Sequence, residues 1–180
     1  MKKILTISLL CMLFSLQGFS QNPAYGKFLG SINPTKFVGN STYRGYEKQV
    51  EIIEVTTNGQ NQNTTVNFKF SPCSASADFL AHTQLGKSIT KGQIDVFEKN
   101  PYNAAYSRIK YKIYFEDARM STCTDTRACN NIMATSVSLR PQRICWIYYN
   151  YDNTGKALGI NANGFDTKSG EAWTVTAPNF

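Results

Sequence analysis

The chain has 180 residues, 42% of them hydrophobic, with 19 Lys+Arg against 12 Asp+Glu, one histidine and a formal net charge of +7. That length suits one domain with a real core, and the cations are scattered rather than run together, which argues against a nucleic-acid tract. A single histidine and no Cys-x-x-Cys argue against a zinc centre or any other metal site.

The first twenty residues read as an export signal. Met-Lys-Lys leads into the apolar run ILTISLLCMLFSLQGF, and Gly18 and Ser20 stand in the small-residue positions before Gln21. The run is too short for a spanning helix, and Cys11 lies within it without the small neighbours of a lipid-attachment site. Cleavage after Ser20 gives a mature chain of residues 21–180, one domain, secreted or periplasmic, with no membrane span. Two of the Lys+Arg residues leave with the signal, so the mature chain stays mildly basic. It keeps Cys73, Cys123, Cys129 and Cys145. An even count in an exported chain favours disulfides. Cys123 and Cys129 share the polar segment STCTDTRACNN, where a bridge would pin a loop, and Cys73–Cys145 is then what remains.

From Ala24 to Ile32 the sequence AYGKFLGSI alternates loosely around Tyr25, Phe28 and Ile32. Asn33–Tyr46 is polar and reads as a loop. KQVEIIEVTT (48–57) is a strand ended by Asn58-Gly59, and Thr64–Phe70 is a clean strand with Val66, Phe68 and Phe70 on one face. Ser71-Pro72 breaks the period. SASADFLAHTQL (74–85) then places Ala77, Leu80, Ala81 and Leu85 at helical spacing, with Gly86 at the C-cap. Ile94–Phe97 and Arg108–Phe115 return to strand character. Ile132–Arg140 alternates Met133, Thr135, Val137 and Leu139 against Ala134, Ser136 and Ser138. After Pro141-Gln142, RICWIYYNY is apolar on both faces and reads as a central strand, followed by a turn at Asp152–Gly155. Many strands and one helix predict a mainly β fold, an antiparallel barrel or sandwich of two sheets with one flanking α-helix.

No constellation carries chemistry. Asp78 and His82 are i, i+4 on the helix and read as a surface contact rather than a metal or acid–base pair. Glu116-Asp117 are strand neighbours that face opposite ways. Neither a catalytic residue nor a cofactor is expected. Tyr148, Tyr149 and Tyr151 read as barrel core, with an exposed sugar-binding face as the rival.

The order of these pieces resembles the haemolysin-coregulated protein (Hcp) family, the tube proteins of type VI secretion. The resemblance rests on an opening strand reaching Gly30, an Ile53-Glu54-Val55 strand, the Phe-Lys-Phe strand and Ser-Pro, and a helix ending near a glycine. It continues with YSRIKYKIYFEDA (106–118), the VSL strand, the aromatic strand ending Tyr-Asn-Tyr, the glycine turn and Gly164-Phe165-Asp166. It implies a two-sheet β-barrel that assembles into hexameric rings, a structural protein rather than an enzyme, with spike or effector proteins of a type VI system as partners. The export signal departs from the family. So does the link between the second and third strands, often a long arm and here Asn58–Asn63, which shifts assembly contacts to Asn33–Arg44 or Ser121–Asn131. The alternative is an extracellular or periplasmic binding module, for glycan or protein, on the same barrel.

Overall fold

The computed structural model describes residues 23–32, 36–59, 63–100, 107–127 and 133–175. Its strands are β1 (Ala24–Gly30), β2 (Val50–Asn58), β3 (Thr65–Phe70), β4 (Ser88–Lys99), β5 (Ser107–Arg127), β6 (Met133–Arg140), β7 (Arg143–Tyr151) and β8 (Ala157–Asp166), with helix α1 (Ser74–Gln84) between β3 and β4. The expected export signal, residues 1–20, lies outside the described residues. Among the described residues, no helix is long and apolar enough to cross a membrane.

All pairings are antiparallel, in the order β4-β1-β2-β3-β6-β5-β7-β8, and β4 also pairs with β5. That last pairing closes the sheet into a barrel, because β5 is 21 residues long and serves two neighbours in turn along one edge. Its residues 111–116 pair with β7, and its residues 119–127 pair with β6. Strands β6 and β7 therefore run in the same direction along β5, as one strand bent at Pro141-Gln142. Proline has no N–H to give to a ladder, so pairing lapses there, and Gln142 N–H reaches back to the Glu116 carbonyl at 3.2 Å. Such a bend is how a strand passes from one sheet to the next.

The segment 121–127, polar enough to be expected as a loop, is the second half of β5. Its threonines are β-branched and suit an extended edge, and Cys123 turns inward opposite Val137. Strand β4 is three times the expected run: Gly92 interrupts the apolar pattern because the Phe115 ring fills the place of its side chain, 2.1 Å from where a Cβ would stand.

The barrel interior holds Phe28, Phe68, Phe70, Phe115, Ile94, Ile113 and Leu139, all essentially buried. Helix α1 closes over it. The Cys73 N–H donates to Ser76 Oγ (3.1 Å), which donates to Thr135 Oγ1 (2.9 Å), which donates to Asp125 (2.7 Å), tying the start of α1 to β6 and β5. Gly86, with φ 61°, ends the helix as expected: Lys87 N–H returns to the His82 carbonyl at 2.8 Å. Of the expected face only Leu80 packs against the core. Ala75, Phe79 and His82 point inward, while Ala77, Ala81 and Leu85 are exposed. One phenylalanine buries more apolar area than the alanines together, and it sets the rotation of the helix.

Cys73, Cys123 and Cys145 are free thiols. The expected Cys73–Cys145 bridge is not formed, because the two lie on opposite faces of the sheet. Cys73 packs against the barrel interior, whereas Cys145 follows the register of Tyr114 on the outer face, its Sγ 3.8 Å from the Val175 carbonyl. Cys123 packs into the core, and its expected partner Cys129 lies outside the described residues. Burial, then the nearby Asp125 charge, pushes the Cys123 thiol from 9.0 to about 11, and burial also raises Cys145. A group whose pKa rises on folding contributes stability below its unfolded value and loses it as pH climbs to the folded value. Urea-unfolding stability should therefore fall between pH 9 and about 11, and Cys123 and Cys145 should resist a thiol reagent at neutral pH until unfolding. A linked Cys123–Cys129 peptide in a map made without reductant would overturn this.

Candidate functional site

The sequence-derived candidates divide sharply. His82 is 3% exposed and belongs to the core. Its Nδ1–H donates to the backbone carbonyl of Asp78 at 2.8 Å, not to the carboxylate, and its Nε2 accepts from Ile32 N–H at 3.4 Å. Both ring nitrogens are thus spent on backbone, and the ring packs against Phe37 with centroids 5.0 Å apart. The expected surface contact is a buried one instead. Gly30 makes room for it, since a Cβ there would stand 2.2 Å from Nε2. Among the described residues no three His, Cys, Asp or Glu side chains converge as a metal site.

The acidic pair is also committed. Glu116 accepts from Tyr114 Oη at 2.8 Å and pairs with Arg143 at 3.3 Å, and Arg143 reaches Asp166 at 3.2 Å. Asp117 takes the left-handed conformation, φ 49°, where β5 turns from β7 towards β6. Trp173 stacks on Tyr114 with centroids 5.8 Å apart and covers this part of the outer face.

Each of the two expected assembly loops lies partly outside the described residues. Asn33 lies outside the described residues, and Arg44 sits exposed in a turn that folds back on the sheet. Beside it Tyr43 and Tyr46 cover Tyr25 of β1, with centroids 5.4 and 4.9 Å away. Tyr46 Oη donates to Asp95 at 3.0 Å. Asp95, 3% exposed, also receives Gln93 Nε2 at 2.7 Å and Lys112 at 3.4 Å. A buried carboxylate with three donors is satisfied, so the segment 43–46 is fastened down. In the second loop, Ser121 is a strand residue of β5 and Asn131 lies outside the described residues.

The feature the sequence reading missed is β8. It pairs with β7 on one edge, and on the other the described residues supply only the bridge Phe165↔Ala172. Its length from Ala157 to Asn161 is exposed, with Leu158 68% and Ile160 41% accessible. Tyr148 of β7, 46% accessible, opens beside it and lies 5.5 Å from Tyr111. Tyr148 was expected in the core. It is exposed because the β7–β8 hairpin runs past the end of the barrel interior. Tyr149 and Tyr151 are half-buried, Tyr151 under Arg108 at 4.2 Å. The alternation of Leu158, Ile160 and Ala162 was the available signal for β8.

An unpaired strand edge flanked by exposed apolar side chains is a template for pairing with another chain, and proteins that do not use such an edge blunt it. No family model matches the sequence, and no curated protein matches it. Solved structures do. The chain superposes on Hcp1 from Salmonella typhimurium with a TM-score of 0.65 at 14% identity, covering 83% of this chain and 99% of that one. A type six secretion system protein gives 0.69 at 14% identity, covering 84% and 99%. The chain has the Hcp fold. The secreted protein Hcp3 from Pseudomonas aeruginosa matches as well, with a TM-score of 0.61 at 18% identity over 78% and 97% of the two chains. Strand β2 ends at Asn58, and Thr65 Oγ1 at the start of β3 donates back to the Asn58 carbonyl at 3.3 Å.

Proposed function

We propose that residues 21–180 form one exported, Hcp-like structural domain that assembles with copies of itself into hexameric rings and performs no catalysis. The observation that carries this reading is the edge of β8 that the described residues leave unpaired over 157–163, on a fold that covers 99% of the Salmonella Hcp1 chain. A ring needs a heterologous contact, one surface of each protomer on a different surface of the next, and an unpaired strand supplies half of such a contact. Spike or effector proteins of a type VI system are the further partners. The leader argues for a place outside the cytoplasm, secreted or periplasmic.

Sedimentation velocity of the mature protein over a wide concentration range should show a six-fold species, and the intact mass of the native protein should begin at Gln21. A strictly monomeric profile at the highest soluble concentration would remove the ring. The second reading, a glycan- or protein-binding module on the same barrel, would then take first place, since Tyr148 already offers an exposed ring. A glycan array separates it from the first.

A further inference from the structure

A cleft of about 340 Å³ opens between β1, the segment 36–38 and the turn 47–49. We propose that it is a binding site for a small amphiphilic anion, a carboxylate or phosphate carried on an apolar body. Nothing in the ring-forming role calls for such a site, and the proposal stands apart from it.

Three lysines line the cleft, Lys27, Lys36 and Lys48, each from a different segment. Their backbones are fixed. Lys27 is in register with Gln93 inside the sheet. Lys36 bridges to Leu29, and the next N–H, that of Phe37, donates to the Phe28 carbonyl at 3.0 Å. Lys48 N–H donates to the Ser41 carbonyl at 2.8 Å, and the Lys48 carbonyl accepts from Gly39 N–H at 2.7 Å. None of the three is ion-paired with a described residue. The single acid of the cleft, Glu47, accepts the Gly45 N–H at 2.9 Å. Three ammonium groups against one engaged carboxylate leave the cleft cationic.

Between the lysines the wall is apolar. Phe37 is 5% exposed at the base, and Val38 is 47% exposed although large and apolar. Cleft size in the lower part of the ligand-site range, apolar walls and a few fixed charges are the ordinary composition of a small-molecule site. The lysine stems add further carbon surface for an apolar body to lie against.

The backbone of Lys48 adds an independent mark. It holds φ 60°, the left-handed region, where a side chain costs about 1–2 kcal/mol that glycine would not. Strained non-glycine residues gather at ligand clamps, and this one lines the cleft. A solvated surface lysine needs no such conformation. A polyanion such as nucleic acid fits poorly, because the three lysines line one concavity instead of following a stripe.

The test uses mature protein and decanoate below its micellar concentration, titrated by calorimetry. Saturable one-to-one binding is expected for decanoate and for decyl phosphate. Decanol, which lacks the charge, and inorganic phosphate, which lacks the apolar body, should each bind at least about tenfold more weakly. Lys36→Gln with Lys48→Gln should cost about tenfold for decanoate, while Lys156→Gln, on the far β7–β8 turn, leaves it unchanged. Lys48→Gly should raise the melting temperature and weaken decanoate binding together, a split that a lysine with only a structural role would not produce. No saturable decanoate binding, equal binding of decanol, or undiminished binding by the lysine variants would overturn the proposal.

Discussion

Phe79→Ala should destabilise the protein by about 3–5 kcal/mol, the range for deleting a buried ring whose cavity the surroundings fill only in part. Phe79 is fully buried and meets four other phenylalanines: Phe37, Phe28, Phe68 and Phe70, with ring centroids 4.7, 5.1, 5.5 and 5.6 Å away. The contacts with Phe37 and Phe28 are edge-on, at 79° and 74°, an arrangement that adds to simple area burial. These four rings come from β1, the segment after it and β3, so the ring of Phe79 is the main apolar joint between α1 and the barrel. Leu85→Ala, on the same helix but 61% exposed, should stay within about 0.5 kcal/mol of the parent. Urea denaturation of both variants checks the pair. The opposite order of effects would mean that the helix is seated by Leu80 and Leu85, as the spacing of its aliphatic residues suggests.

Leu158→Lys combined with Ile160→Lys should convert the ring species to monomer with little change in folding stability. Both side chains are exposed, so their loss removes few contacts within the protomer and stability should move by no more than about 0.5 kcal/mol each. Lysine on an open edge is a standard way of preventing strand-to-strand pairing, because a second strand would have to desolvate the ammonium groups. Ile53→Lys is the control. Ile53 is 38% exposed, but it lies on β2 at the register shift against β3, away from the β7–β8 hairpin. Sedimentation velocity of the two variants beside the parent decides it: a double variant that still forms the parent species would move the assembly contact away from β8. Deletions in the 33–44 loop are a poorer probe. That loop leads directly into Tyr43 and Tyr46, which cover Tyr25 and hold Asp95, so shortening it would disturb folding and assembly together.

Local pattern was enough for much of this molecule. The period of two in Thr65–Phe70 and in Met133–Arg140 is visible because one face of each strand meets the core and the other meets solvent. The apolar character of RICWIYYNY on both faces follows from its place between β5 and β8 with covered surfaces above and below at its start. Gly86 announces the end of α1 because only a residue without a Cβ enters the left-handed conformation freely. These are properties of neighbours in sequence.

What the tertiary structure alone decided involves partners distant in sequence. The inner face of α1 is chosen by Phe79, because the aromatic pocket that receives it is assembled from β1 and β3. The two thiols expected to bridge are separated by the sheet itself, since facing depends on register and a register of one residue reverses every side chain. Segment 121–127 is strand because β6 is there to pair with it, despite its polar composition. His82 is a core residue because Gly30, fifty-two positions earlier, leaves space for its ring. The edge of β8 that the described residues leave unpaired is the clearest instance. Its residues alternate like those of any strand, but whether an edge is covered depends on what lies alongside it, and no stretch of sequence states that.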